Sequence, residues 1–199
     1  YRQFHPLMAS NEEMAMYKGL PVVQQVLAKR KEKRDEWVRS GLKHWHDFDT
    51  LWYAFIATIS RSYGVTTNGY WTAATVPGSD MGNTDTPEEA LINTAWGYED
   101  GCQCFYLNTT RAVAAGEEML QSYQISSKKD NQFMAYMFGF TLPGNPKKVK
   151  QLDEKTCRAL LLQPYDEKGA SATVRLFHRL SREHCEEAGT VAEEVDWTG

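Results

Sequence analysis

The chain predicts an α+β fold, on three observations. Strand-like runs follow one another without intervening helices, at 70–76, 91–98, 102–108 and 118–122, so no βαβ alternation is available to build a parallel doubly wound sheet. Helical periodicity is confined to the flanks of that region, before residue 62 and after residue 130. Between two of the runs stands Asp100-Gly101, a tight-turn dipeptide that joins neighbouring strands antiparallel.

Each helix carries start and stop signals. Ser10 followed by Glu13 is a capping box, Gly19 ends the short helix it opens, and Pro21 suits the first turn of the next. That next helix is expected over 22–40, apolar at Val22, Val23, Val26 and Leu27. Its second half is charged from Lys29 to Glu36, with both signs interleaved, which describes a solvated face better than a phosphate-binding patch. Gly41 closes it. Asp49 or Thr50 can cap a third helix whose apolar residues Leu51, Trp52, Phe55, Ile56 and Ile59 share one side. Asp130-Asn131 opens a fourth, with Phe133, Met134, Met137 and Phe138 on one side and Gly139 at its end. Residues 147–150 read as a linker to two further helices near 154–162 and 173–185, the second striped by Val174, Phe177 and Leu180. The acidic tail from Glu186 reads as loosely held.

With 199 residues the chain suits one domain, or one with a small appendage, and 42% apolar and 12% aromatic residues suit a packed core. A net charge of −4 gives no reason to expect nucleic acid or an anionic membrane as partner. No apolar run approaches the ~20 residues of a membrane-spanning helix. The chain starts at Tyr1 rather than methionine, so the lack of a visible signal peptide carries no conclusion. Cys102 and Cys104 resemble half a zinc site, but Cys157 and Cys185 stand alone, so no metal is expected. The bland reading is free thiols, the first two packing on one face of a strand, which points to a reducing intracellular compartment: cytoplasm, nucleus or an organelle interior.

Two segments carry the functional signal. Thr75-Val76-Pro77-Gly78-Ser79-Asp80-Met81-Gly82-Asn83-Thr84 reads as a strand stopped by proline and run into a loop of small polar residues. Gly116-Glu117-Glu118-Met119-Leu120-Gln121-Ser122-Tyr123 reads as a turn and a short strand ending in tyrosine. In this order the pair resembles the C-terminal motifs of SET-domain methyltransferases, in the branch of the Rubisco large-subunit lysine methyltransferase and the actin-histidine methyltransferase.

The resemblance covers roughly residues 4–146. It implies a SET-like domain over 1–146, with 10–62 an inserted helical region, and in 147–199 the start of the branch's C-terminal helical domain. It implies S-adenosylmethionine as cofactor, with Arg61 meeting its carboxylate and Asp80, Asn83 and Thr84 holding its adenine and amino ends. It also implies Tyr123 at the methyl-transfer centre and Phe138 and Phe140 as walls. Such chemistry needs no metal: an in-line displacement asks the protein to align and shield two atoms.

Alone, each residue also has a structural reading, as a helix-end arginine, loop formers or a core aromatic. Thr84 stands where the family has histidine and Gln124 where it has glycine, residues 125–130 are altered, and the family's N-terminal glycine-rich motif is not among these residues. Two functions follow. One is a protein-lysine (or histidine) N-methyltransferase acting on a protein substrate. The other is a degenerate SET-fold subunit of a larger complex, for which six tryptophans and ten tyrosines suit a docking surface. An unrelated α+β domain is the third reading.

Overall fold

A computed structural model describes residues 5–85, 91–123 and 129–186. The altered stretch at Gln124 and the following four residues, and the acidic tail beyond Glu186, lie outside the described residues.

Helices α1 (Asn11–Met16), α2 (Pro21–Arg39) and α3 (Phe48–Ile59) precede the strands β1 (Ser62–Thr67), β2 (Tyr70–Thr75), β3 (Thr94–Glu99) and β4 (Cys104–Thr109). Helices α4 (Asn131–Phe138), α5 (Glu154–Leu161) and α6 (Ala172–Cys185) follow. The architecture is α+β, with two separate antiparallel hairpins, β1–β2 and β3–β4.

The start signals work as side-chain caps. Ser10 Oγ accepts from Glu13 N at 3.1 Å while Glu13 Oε2 accepts from Ser10 N at 2.7 Å, the reciprocal pair that satisfies two orphan donors of α1. For α3 the cap is Asp47, not Asp49 or Thr50. Its carboxylate takes both the Thr50 backbone N–H (2.7 Å) and the Thr50 hydroxyl (2.9 Å), a geometry that only the residue three before threonine can make.

The main core gathers Leu7, Met14, Tyr17 and Val23 with Trp52 and Ile56 of α3, then Leu160 of α5 and Phe177 and Leu180 of α6. The C-terminal helices therefore pack into the same core as the N-terminal ones. The Tyr17 and Phe177 rings lie 5.6 Å apart, and the Ser171 hydroxyl, itself the cap of α6, donates to the Glu13 carboxylate. Trp52 donates its indole N–H to Leu7 O at 2.7 Å, the partner a buried indole requires. The charged half of α2 is largely exposed, with a second role: Arg30, Lys33 and Arg34 lie over the rings of Trp52, Phe55 and Phe48 at 5.8, 5.1 and 4.3 Å. Basic stems thus cover the aromatic side of α3, each contact contributing about 0.5–1 kcal/mol.

Three expectations need correction in the strand region. Strand β1 continues straight from α3 where a helix end alone was expected. It pairs with β2 across Asn68-Gly69, whose φ angles of 50° and 77° are the twin left-handed residues of a tight hairpin turn. The second hairpin begins later than expected, at Thr94 and Cys104. Residues 118–122 form no continuous strand. Only two isolated parallel bridges remain, Asn83 with Leu120 and Thr94 with Gln121. The physical reason is Asn93, fully buried, whose side chain accepts from Leu120 N (2.8 Å) and donates to Glu118 O (2.8 Å) in place of a ladder.

The free-thiol expectation is also overturned. Cys157 is bonded to Cys185, tying α5 to α6, and Cys102 is bonded to Cys104 at the tip of the β3–β4 hairpin, where Cys102 lies in the turn rather than in a strand. The argument for a reducing compartment rested on free thiols and goes with them. Among the described residues no helix is long and apolar enough to cross a membrane.

Candidate functional site

The two segments singled out in the sequence lie side by side. Gln121 N donates to Asn83 O at 2.9 Å, and Tyr123 N donates to Thr84 Oγ1 at 3.4 Å. The Tyr123 hydroxyl donates to Gly82 O at 2.8 Å, which ties the end of one segment to the loop of the other. Pro77 halts β2, Gly78 takes φ 91°, and the chain folds into the single turn Ser79–Met81. The Asp80 carboxylate accepts from Gly78 N at 3.0 Å and so closes the corner.

Arg61 reaches this turn from the junction of α3 and β1. Its Nη1 donates to Asp80 O at 3.0 Å and lies 3.8 Å from Asp80 Oδ2 and 3.2 Å from Met81 Sδ. The loop therefore holds Arg61. Tyr63, two residues on, sits beneath the same turn with its hydroxyl 2.7 Å from Ser79 O.

These residues open onto a cleft of about 560 Å³, within the range of small-molecule sites. Arg61, Asp80, Tyr123 and Phe138, all expected from the sequence, line it together. Phe138 belongs to the end of α4, where Asp130 caps the helix and Gly139 ends it at φ 81°; its ring meets that of Tyr123 at 4.7 Å. Asn83, Thr84 and Phe140 are not among the lining residues. Asn83 turns its amide to Glu118 Oε1 at 2.6 Å, Thr84 supports the Tyr123 backbone, and Phe140 backs Phe138 at 6.2 Å.

Sequence reasoning missed Tyr63, Trp71, Trp96, Gln121 and Lys129 as further lining residues. A signal existed for the first two. Both lie on the strands that the Asn-Gly turn joins, and recognising that hairpin brings Trp71 over Gly64, where an added Cβ would meet the indole at 3.1 Å. Nothing in the local sequence marked Trp96 or Lys129. Trp96, Phe105 and Tyr63 form an aromatic cluster that joins the two hairpins, with Tyr63 4.9 and 4.8 Å from the other rings. Lys129 holds its ammonium 4.2 Å over the Phe133 ring.

The Gly116-Glu117-Glu118 motif has structural work. Gly116 takes φ 84° at the turn, and Glu118 holds Asn83. Glu117 receives the Arg111 guanidinium at 2.5 Å, Ala114 N at 2.9 Å and Asn93 Nδ2 at 3.2 Å. Arg111 first, and then the Ala114 N–H, hold the Glu117 carboxyl down at about 2. Among the described residues no group of three or more His, Cys, Asp or Glu is arranged to hold a metal ion.

No protein-family model matches the chain, and no curated protein matches it in sequence. The functional reading therefore stands on the cleft and on the motif resemblance.

Proposed function

We propose that the chain is an S-adenosylmethionine-dependent protein-lysine N-methyltransferase of the SET type, or the C-terminal part of one. The observation that carries this reading is that Tyr123, Asp80 and Arg61, remote in sequence, share one cleft with Phe138. The resemblance requires these residues to meet, and a spread over different surfaces would have removed it.

The donor set fits the cofactor. A guanidinium suits an α-carboxylate, and Tyr123 with Phe138 offers aromatic surface for an apolar or cationic moiety. When bound, S-adenosylmethionine supplies an activated methyl group. The chain's own residues orient and shield. With its proton directed to Gly82 O, the Tyr123 oxygen acts only as an acceptor, the polarity that suits methyl C–H groups and an amine N–H. Arg61 and Asp80 fix the turn that carries Gly82, so the phenol is oriented by the loop that would hold the cofactor. Asn83 and Thr84 act one layer behind, through Glu118 and the Tyr123 backbone.

A second reading is a degenerate SET-fold subunit docked in a larger complex. It is favoured by the carboxylates of Glu117 and Glu118, which serve Arg111, Asn93 and Asn83, so that most motif residues have structural roles. Tyr70 and Trp71, 78% and 74% exposed beside the cleft, would suit docking.

The test is methyl incorporation from isotope-labelled S-adenosylmethionine into lysate proteins by the folded full-length protein. Label on a lysine of a discrete protein band supports the enzyme. No incorporation by a protein that melts cooperatively sinks it and leaves the module.

A further inference from the structure

We propose that the Cys102–Cys104 disulfide is a thiol–disulfide exchange site, opened by low-molecular-weight thiols of neutral or positive charge, while Cys157–Cys185 is inert. The two bonds differ in access and in the length of chain they close. Cys102, Gln103 and Cys104 are all exposed at the hairpin tip, whereas Cys157 and Cys185 are only 1% and 7% exposed in the packed seam of α5 and α6. Attack on a disulfide requires a thiolate to reach a sulfur, so access alone separates them.

The consequence of opening also differs. The tip bond spans a sequence separation of 2, the other 28, and the shorter loop loses least closure entropy. The tip bond is not needed to align its strands. Six residue pairs from Thr94–Thr109 to Glu99–Cys104 set the register, and Gln103, at φ 53°, turns the chain next to Cys104. Opening therefore leaves the hairpin in place, which makes it reversible.

Charge selects the reagent. Glu99 faces Cys104 in the register, and the Asp100 carboxylate stands at the turn, held by Asn68 N at 2.9 Å. Two carboxylates beside the sulfurs repel an anionic thiol and attract a cationic one, an effect that salt screens.

The step balances without a metal or cofactor. A small-molecule thiolate attacks one sulfur, the S–S bond breaks, and the other sulfur leaves as thiolate and takes a proton. A second small thiol attacks the mixed disulfide, giving the Cys102/Cys104 dithiol and the oxidised small-molecule disulfide. The two electrons gained by the protein are those lost by the two thiols. The reverse reaction closes the bond again.

The experiment incubates the native full chain with cysteamine or with glutathione, quenches with an alkylating agent and maps the labels by peptide mass spectrometry. Expected are labels on Cys102 and Cys104 with Cys157 and Cys185 unlabelled, cysteamine opening the bond about threefold to tenfold faster at low salt, and the gap closing in high salt. The variant C104S, treated with cystamine, should gain one cysteamine adduct at Cys102. Failure to open under conditions that reduce an exposed control disulfide overturns the proposal. So does labelling of Cys157 and Cys185 at the same rate, labelling of Cys102 and Cys104 before any thiol is added, or equal rates for the two thiols at low salt.

Discussion

The Tyr63 hydroxyl and the Gln121 side-chain carbonyl meet at 3.0 Å beneath the Ser79–Met81 turn, and both side chains also reach Ser79 O, at 2.7 and 2.9 Å. The turn that carries Asp80 is thus held from below by β1 and by the 117–123 segment at once. Both supporting side chains are buried, and so the hydrogen bonds are costly to leave unmade.

Removing the Tyr63 hydroxyl should therefore loosen the cleft floor without emptying the core. Tyr63→Phe is expected to cost about 1–3 kcal/mol and to lower the melting temperature by several degrees. Amide exchange at Asp80, whose N–H bonds Val76 O, should rise in step. Unchanged exchange there would remove Tyr63 as the support of the turn.

Tyr123→Phe separates chemistry from scaffolding. As the methyl-transfer residue, the phenol should be missed in turnover, by about tenfold or more, with cofactor affinity barely changed. As a loop tie, it should cost roughly 1 kcal/mol from the lost bond to Gly82 O and nothing else. Turnover and a thermal melt, measured on the same two proteins, tell the outcomes apart.

Cofactor affinity of the 199-residue chain is expected to be weak, because the resemblance assigns part of the backbone cradle to a glycine-rich motif that these residues do not contain. Whatever binding calorimetry detects should fall by about tenfold or more in Arg61→Ala, the loss of one hydrogen bond to a charged group at ~1.5–3 kcal/mol. Low-micromolar affinity for the wild-type chain would contradict the expectation.

Acid should destabilise the protein through His5. Burial is the main cause that lowers this imidazole from 6.5 to about 4, and it is held neutral with Nδ1 accepting from Leu7 N at 3.2 Å. A histidine whose folded pKa is depressed binds its proton more readily unfolded. Its contribution is therefore complete above about pH 6.5 and lost as pH falls towards 4, reaching about 2 kcal/mol at pH 5. His5→Gln should flatten the slope of melting temperature between pH 7 and 5. Glu117 acts in a lower window, from about pH 4.5 to 2, with the same sign.

The Cys157–Cys185 bond should stabilise substantially. It closes a loop of 28 residues, and chain-entropy reasoning gives about 3–4 kcal/mol for loops of that size. The double variant Cys157→Ala/Cys185→Ala should melt several degrees lower, whereas Cys102→Ser/Cys104→Ser should melt close to wild type.

Local signals made the helices legible. Ser10 with Glu13, Pro21, Asp130 and Gly139 each act within one turn, and all four act in the structure as expected. The Arg61–Asp80–Tyr123 meeting was legible only as a joint pattern of motifs. What escaped was long-range or masked by a stronger neighbour. Strand β1 was hidden by the helix it continues, although its Asn68-Gly69 turn was in plain view. The 118–122 run has strand-like residues, but Glu118 O and Leu120 N bond to the side chain of Asn93, a partner that no periodicity indicates. The disulfides were missed because Cys157 and Cys185 become neighbours only when α5 folds back on α6.

The hydroxyl of Ser171 on the Glu13 carboxylate and the ring of Phe177 against Tyr17 make the first helix and the last mutual supports. Contacts that span most of the chain close long loops and so slow folding. A nascent chain leaving the ribosome would lack the Phe177 partner of Tyr17 until α6 emerges, so synthesis itself sets a waiting period for that contact. Substitutions in α6 should therefore lower the yield of folded protein before they alter anything at the cleft.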